Sequence, residues 1–199
     1  MKNALILDYK IGNVSSVRNF LKENGYSVEF GCDPKQVKEF DLLVLPGVGS
    51  FNIASESLND LNLIQVIKER HENSKPILGI CLGFQILTKS SSESPNFNGL
   101  GIFNGTTERL KEFSQIGWGK LNYNHNINDI DEEYFYFNHS YGSYNIENLN
   151  LKAQSGKSEY LSMAISEKTV GVQFHPERSQ QAGSKFLKWL EIEVWRFND

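Results

Sequence analysis

Apolar runs alternate with helical repeats along the first half of the chain. The stretch "NALILDY" predicts a buried strand, and from Val14 onward the apolar positions Val17, Phe20 and Leu21 follow helical spacing until Gly25. Alternation of this kind predicts a parallel sheet covered by helices on both faces. The further strands predicted in this half are "YSVEF", "DLLVLPG" and "PILGI", and the further helix is "LNLIQVIKERHEN".

Strands and turns dominate the second half. The polar stretch "KSSSESPNFNG" is interpreted as a surface loop because it is too short for a linker. The pattern then predicts strands at "TTERLKEF", "YFYFNHSYG", "YLSMAIS" and "TVGVQF", and an amphipathic helix carrying Phe186, Leu187, Leu190 and Val194. Residues 1–199 are therefore expected to form a single α/β domain with three layers, a mainly parallel sheet flanked by helices.

Composition and charge narrow the classes of function. The formal net charge of −4 is spread along the 199 residues without a block of like charge, which argues against nucleic-acid or membrane-surface binding. No apolar run is long enough for a signal-peptide core or a membrane span, so a cytoplasmic protein is expected. Two cysteines, Cys32 and Cys81, cannot build a disulfide framework or a four-ligand metal site.

Cys81 lies at a glycine-rich corner between a predicted strand and the next helical pattern. The spacing Gly79-x-Cys81-x-Gly83 is typical of a nucleophile elbow, in which a sharp turn lifts the central residue clear of the sheet. The N–H groups of a helix starting at Leu82 or Gly83 would favour the thiolate and could hold an oxyanion. A small, buried apolar cysteine is the alternative, and the motif alone does not decide. Cys32 lacks such a corner, so a structural role is predicted for it.

His175 is the best candidate for a base that would serve this thiol. It ends the strand pattern "TVGVQF", and Pro176 stops the strand ladder and leaves Glu177 two residues further on. This spacing can bring an imidazole and an orienting carboxylate together. A histidine that caps the sheet edge is the alternative.

The other histidines are interpreted differently. His71 is expected on the solvated face of a charged helix, and His125 in a polar loop without an orienting carboxylate. His139 closes an aromatic strand, where structural and functional roles stay open.

A second glycine-rich corner, "LPGVGSF" at residues 45–51, could offer backbone N–H groups to an anion, although Pro-Gly after a strand is ordinary turn chemistry. It lacks the Lys-Ser/Thr ending of a phosphate-binding loop, and "GLGIFNG" misses the dinucleotide spacing. Nucleotide binding is therefore not expected.

Together these segments resemble the class I glutamine amidotransferases along nearly the whole chain. "GICLGFQ" is similar to the nucleophile elbow of that family, and "GVQFHPE" to its His-x-Glu signature. The segments "LILDYKIGNVSSV", "LPGVGSF", "IGWGKL" and "YFYFNHSYG" are similar to the branch that supplies ammonia to a cyclase in histidine biosynthesis. Two residues depart from that branch: Lys10 stands in place of a usual Gly, and Gly119 in place of a usual Asn.

The resemblance implies a glutaminase with a flavodoxin-like fold. Cys81 would attack the side-chain amide of glutamine, His175 would transfer the protons, and Glu177 would orient the imidazole. The backbone N–H groups of Leu82 and Val48 would hold the oxyanion.

Substrate and partner sites follow from the same resemblance. The positions that match glutamine-binding residues are Gly47, Gly49, Gln85, Ser140 and Tyr141. The implied partner is a (β/α)₈-barrel cyclase, which would receive ammonia through a passage shielded from water. The positions that match its interface are Asn13, Trp118 and Tyr136, and neither a metal nor a cofactor is implied. An ordinary core aromatic is the alternative for Trp118.

Three alternative functions stay open from the sequence. A paralogous branch feeds ammonia to enzymes that modify surface sugars, and the departures at Lys10 and Gly119 suit it. A redox protein of the same architecture would not need the His-Pro-Glu segment, and a non-catalytic binding subunit would not need a triad. Intact Cys81, His175 and Glu177 favour the glutaminase.

Overall fold

The computed structural model describes residues 2–9, 14–111, 114–124, 127, 130–131, 133–155 and 158–197. Within these ranges the strands are β1 (Asn3–Leu7), β2 (Ser27–Gly31), β3 (Leu42–Leu45), β4 (Ile77–Ile80), β5 (Thr88–Ser91), β6 (Phe103–Arg109), β7 (Gln115–Tyr123), β8 (Tyr134–His139), β9 (Tyr141–Tyr144), β10 (Leu151–Ser155), β11 (Met163–Ser166) and β12 (Thr169–Val172). The α-helices are α1 (Val14–Glu23), α2 (Pro34–Glu39), α3 (Phe51–Asp60), α4 (Ile64–Glu72), α5 (Leu82–Leu87) and α6 (Gln180–Trp189). A 3₁₀ turn covers Pro176–Arg178, and a π-helical turn covers Leu190–Val194.

A nine-stranded sheet with the order β2-β1-β3-β4-β12-β11-β10-β7-β8 forms the centre of the protein. Strands β2, β1, β3, β4 and β12 pair in parallel, in the order typical of flavodoxin-like folds. The remaining strands extend the sheet in antiparallel pairs. The predicted α/β fold, a large sheet flanked by helices, is confirmed, and the antiparallel extension is an addition to it.

The sheet separates two hydrophobic cores. In β1, Ala4 and Ile6 contribute to one core, and Leu5 and Leu7 contribute to the other. All four side chains are fully buried. Burial on both faces explains why β1, β3 and β4 read as continuous apolar runs rather than as alternating patterns.

The predicted surface loop "KSSSESPNFNG" is wrong for its first residues, because residues 89–91 belong to β5. Strand β5 pairs with β6 in a smaller sheet of order β5-β6-β9. The hydroxyl groups of Thr88 and Thr107 lie 3.1 Å apart between these strands, and both side chains are buried. Polar side chains that satisfy one another inside a sheet leave no hydrophobic pattern to detect.

The outer elements also differ from the sequence pattern. The predicted strand "TTERLKEF" ends at Arg109 as part of β6. Helix α6 ends at Trp189, and the predicted amphipathic helix continues as the π-helical turn that buries Leu190. No helix in the described part of the chain is long and apolar enough to cross a membrane.

Helix α5 approaches strand β3 at Gly83. A Cβ atom on Gly83 would lie 1.9 Å from the carbonyl oxygen of Leu45, and one on Gly79 would lie 2.6 Å from the carbonyl oxygen of Gly83. Both obstacles are backbone atoms within the core, so they cannot move aside as a flexible side chain would. The two glycines that flank Cys81 are therefore required by close backbone contact.

Gly83→Ala should lower the free energy of unfolding by about 1–3 kcal/mol or more, because the added methyl group overlaps β3. Asn19→Ala, at an exposed position inside α1, is the control and should change it by less than about 0.5 kcal/mol. Urea denaturation of both variants measures the difference. Equal stability of the two variants would contradict the contact between α5 and β3.

Candidate active site

Cys81 occupies the sharp turn between β4 and α5. Its backbone has φ 54° and ψ −105°, a sparsely populated conformation for a residue with a side chain, which costs about 1–3 kcal/mol. The Cys81 N–H donates to the carbonyl of Val172 at 2.7 Å, and its own carbonyl accepts from Phe84 and Gln85 at 3.0 and 3.1 Å. The predicted elbow is thus present as a strained turn that hydrogen bonds hold on both sides.

His175 and Glu177 form a buried pair at the end of β12. Nδ1 of His175 lies 2.8 Å from Oε1 of Glu177, and the side chains are 2% and 1% exposed. The backbone N–H of His175 donates to the Tyr136 carbonyl at 2.8 Å. Ser179 Oγ donates to the His175 carbonyl at 2.7 Å and accepts from the Tyr136 N–H at 3.0 Å. The backbone of His175 is thus held against β8, and Glu177 orients its imidazole.

The charge state of His175 depends on its two neighbours. Burial alone would lower the pKa of this histidine, but the Cys81 sulfur and the Glu177 carboxylate outweigh burial and raise the pKa above its usual value. With Nδ1 turned to Glu177, the other ring nitrogen, Nε2, is buried and makes no hydrogen bond to a described residue. The Cys81 sulfur acts on the ring electrostatically.

Two glutamines connect the sulfur to the segment after β8. Gln173 Nε2 donates to Cys81 Sγ at 3.5 Å, and Gln173 Oε1 accepts from Gln85 Nε2 at 3.2 Å. Gln85 Nε2 also donates to the Tyr141 carbonyl at 2.9 Å. The predicted residues Gln85 and Tyr141 therefore belong to the surroundings of Cys81. Sequence reasoning missed Gln173, although it lies inside the "GVQFHPE" segment.

His139 is buried close to this network as a neutral ring. Its Nδ1–H donates to the Tyr141 carbonyl at 2.8 Å, and the ring packs edge-on against Tyr160. Burial, with a smaller contribution from His175, lowers the pKa of His139 to about 4 against the opposing effect of the Tyr141 carbonyl. Two neighbouring histidines thus have pKa values shifted in opposite directions.

The loop 46–50 connects β3 to α3 and contains the predicted residues Gly47, Val48 and Gly49. Val48 is 42% exposed. The buried Tyr9 donates its hydroxyl hydrogen to the Pro46 carbonyl at the start of this loop. Burial, with a smaller contribution from Cys81, raises the pKa of Tyr9, so its hydroxyl stays protonated and continues to donate. Leu82, the other predicted oxyanion residue, is the first residue of α5 and is buried.

Ser140 lies between β8 and β9 with its side chain exposed. Its hydroxyl is 2.6 Å from the Ser114 hydroxyl, and its carbonyl accepts from the Leu110 N–H at 2.9 Å. These hydrogen bonds connect the turn between β8 and β9 to the segment that links β6 with β7.

An apolar stripe runs along the exposed face of the β7–β8 hairpin. Ile116, Trp118 and Tyr134 are 69%, 51% and 56% exposed, and Trp118 pairs with Tyr136 across the strands. The guanidinium of Arg178 lies 4.2 Å from the centroid of the Tyr136 ring. The stripe, defined by Ile116, Trp118, Tyr134 and Tyr136, therefore ends beside the segment that carries His175.

Gly119, where the resembled branch usually has Asn, lies in a crowded part of β7. A Cβ atom there would lie 2.6 Å from Ser155 Oγ and 3.1 Å from the Phe137 ring. Gln115 Nε2 donates to the same Ser155 oxygen at 3.2 Å. Neighbouring side chains thus fill the space that a side chain at position 119 would need.

Not every predicted residue can be placed. Lys10, Asn13 and His125 lie outside the described residues. The expectation for His71 is wrong: this histidine is half-buried, and its Nδ1 lies 2.8 Å from the Thr169 hydroxyl. Burial lowers the pKa of His71, despite nearby carboxylates.

Comparisons with known proteins agree with this geometry. Residues 5–193 match the family Glutamine amidotransferase class-I. Imidazole glycerol phosphate synthase subunit HisH from Sulfurimonas denitrificans is 37% identical over 195 residues, which cover 92% of this chain and 94% of that protein. The protein of the same name from Lactococcus lactis is 36% identical over 204 residues and covers 98% and 100% of the two chains. A solved glutamine amidotransferase shares the fold with a TM-score of 0.78 at 16% identity, over 97% of this chain and 99% of that chain.

The two shifted histidines can be observed directly. In a protein with ¹⁵N-labelled histidine rings, His175 should remain protonated at neutral pH, whereas His139 should remain neutral until the pH falls towards about 4. Glu177→Gln should lower the pKa of His175, because the neutral amide no longer stabilises the imidazolium. An NMR titration measures both rings, and a His175 ring that is neutral at pH 7 would contradict the electrostatics of the site.

Proposed function

Because the chain belongs to the class I glutamine amidotransferases, we propose that it is HisH, the glutaminase subunit of imidazole glycerol phosphate synthase. The observation that carries the proposal is the strained Cys81 elbow next to the buried His175–Glu177 pair. The relatives named HisH cover nearly the whole chain, which supports this branch of the family. Ammonia released here would serve the HisF cyclase subunit, which makes imidazole glycerol phosphate and AICAR from PRFAR.

The proposed chemistry proceeds through an acyl-enzyme. With the thiol proton on His175, the Cys81 thiolate attacks the side-chain amide carbon of glutamine. His175 then gives the proton to the departing nitrogen, which leaves as ammonia, and a γ-glutamyl thioester remains. Water hydrolyses the thioester to glutamate, with His175 again transferring the proton. Proton transfer of this kind contributes roughly 10²–10⁴ in rate.

The oxyanion of each tetrahedral intermediate needs donors at the corner. The N–H of Leu82 belongs to the first turn of α5, where backbone N–H groups have no partner within the helix. The N–H of Val48 would be the second donor. Removing one such donor costs about 2.7–4 kcal/mol in acyl-transfer sites. A loop that supplies Val48 only in the complex would therefore act as a switch.

Glutamine binding is assigned to the groups around the sulfur. The hydrogen bond from Gln85 to the Tyr141 carbonyl holds the helix after the nucleophile next to β9, which supports a common glutamine-binding surface. Gly47, Gly49 and Ser140 would complete it from the two flanking loops.

The apolar stripe is the proposed contact with the cyclase. It consists of exposed aromatic and aliphatic side chains, and large aromatic residues dominate the energy of protein interfaces. Tyr136 belongs to the stripe and also accepts the backbone hydrogen bond of His175. A partner bound there would contact the strand that holds the backbone of His175.

Glutamate release from glutamine tests the proposed function. The rate should be low for the protein alone and should rise strongly with the HisF cyclase of the same genome loaded with PRFAR. No rise with the loaded cyclase would refute the histidine-pathway assignment. If Cys81 still reacted with a glutamine-analogue affinity reagent, the acceptor would be a different enzyme, such as one that modifies surface sugars.

Cys81→Ala should reduce partner-stimulated glutamate release by more than about 10⁴-fold, because no other group can form the thioester. Cys32→Ala, the matched control at the other free thiol, should leave the rate unchanged. Glu177→Gln should lower the rate by roughly 10²-fold, since the imidazole loses its orienting partner. Activity that survived in the Cys81→Ala variant would overturn the nucleophile assignment.

Trp118→Ala should weaken binding of the HisF cyclase by about tenfold or more, because it removes an exposed aromatic side chain from the centre of the stripe. Ile192→Ala is the matched control, because Ile192 is 54% exposed but lies in the π-helical turn, outside the stripe. The neighbouring Trp195 donates to the Lys168 carbonyl just before β12, at the opposite end of that strand from His175. Titration calorimetry measures both affinities. Equal affinities would place the interface elsewhere.

A further inference from the structure

Gln173 is a fully buried polar residue to which the proposed reaction assigns no role. It directly follows β12, and its backbone N–H donates to the Ser162 carbonyl at 2.8 Å. In the parallel pairing of β4 with β12, Ile80 lies opposite Val172. The next residue of each chain segment is Cys81 and Gln173, so the strand register itself places the two side by side.

The network determines which end of the Gln173 carboxamide faces the sulfur. Gln85 presents an NH₂ group that donates to the Tyr141 carbonyl and to Gln173 Oε1. If the Gln173 amide were reversed, two NH₂ groups would face each other and an oxygen would face the sulfur. Both contacts would then be unfavourable. The donor end of Gln173 is therefore directed at Cys81 Sγ.

We propose that Gln173 is a catalytic residue of the glutaminase: its carboxamide donates a hydrogen bond to the Cys81 thiolate and stabilises it for attack. The inference rests on the proposed function and deepens it. A hydrogen bond to the charged form of a group favours that form, and hydrogen bonds to ions are roughly twice as strong as neutral ones. Gln173 is fully buried and Cys81 is only 6% exposed, so little water can reach the thiolate to solvate it.

The other titratable groups that act on the sulfur do not duplicate this role. His175 provides positive charge from the side of β8, with Glu177 behind it. Tyr9 acts from the end of β1, and its hydroxyl is engaged with the Pro46 carbonyl. Gln173 is thus the neutral donor that contacts Sγ in the described part of the chain. Through Gln85 it also couples the nucleophile to the surface that would bind glutamine.

The rate of Cys81 alkylation by iodoacetamide as a function of pH tests this role without glutamine, partner or turnover. The background is Cys32→Ser, which leaves one reactive thiol. Gln173→Glu replaces the donor with a carboxylate of the same shape and should raise the pH of half-maximal alkylation by about one unit or more. Where most of the sulfur is protonated, a shift of one pH unit corresponds to roughly tenfold slower alkylation at a given pH. Gln173→Met removes the donor without adding charge and should shift the profile in the same direction by a smaller amount.

Gln65→Glu is the matched control, because it adds the same charge at an exposed position of α4 and should leave the profile unchanged. Thermal unfolding of each variant establishes that it is folded, and Gln173→Met provides the result if Gln173→Glu does not fold. An unshifted profile in a folded Gln173 variant would overturn the proposal. A shifted profile in a protein that releases no glutamate would support the role of Gln173 and refute the proposed function instead.

Discussion

The hydrogen bond from the Cys81 N–H to the Val172 carbonyl connects the proposed nucleophile to the rest of the site. It extends the parallel pairing of β4 and β12 by one residue beyond the last paired strand positions. The chain then continues from Val172 through Gln173 to His175, so the four residues 172–175 carry both the proposed donor to the sulfur and the proposed base. The chain turns sharply at Cys81, directly after this bond, and the turn brings Gly83 against the backbone of β3, where a Cβ atom would not fit.

The antiparallel strands of the sheet constrain the position of His175. Strand β8 holds His175 through the Tyr136 carbonyl, and Ser179 bonds to both residues. The same strand has buried Phe135 and Phe137 on one face and exposed aromatic side chains on the other. A protein bound to the exposed face would therefore contact the element that positions the imidazole. Binding of a partner at this face would therefore give it a physical route to His175.

Strongly patterned elements could be predicted from the sequence, and polar ones could not. Strands β1, β3 and β4 are buried on both faces and read as apolar runs. Helix α3 was not predicted because its buried face includes Ala54 and Ser57, which weaken the apolar periodicity. The short helix α2 has the Asp33 cap and Pro34 as its local signals but buries only Val37, so it shows no apolar periodicity. The half-exposed strands β7 and β10 lack a regular alternation.

The residues of the site likewise divide into those that a local sequence pattern reveals and those that it does not. The elbow at Cys81 and the His175–Glu177 spacing are local in sequence, so their pattern could be recognised before the structure. The contact of Gln173 with Cys81 spans 92 residues and depends on the register of two parallel strands. The burial of His71 against Thr169 spans 98 residues, so its helical pattern suggested a solvated face. Contacts made by tertiary packing leave no local pattern, whereas turn and cap chemistry does.

The proposed mechanism requires a covalent bond between Cys81 and the side-chain amide carbon of glutamine. The most direct measurement is acid quenching of the HisF complex during turnover, followed by peptide mass spectrometry of the trapped acyl-enzyme. We expect a γ-glutamyl group on the peptide that contains Cys81 and none on the peptide that contains Cys32. Steady glutamate release without an adduct on Cys81, or with the adduct on another residue, would contradict this mechanism.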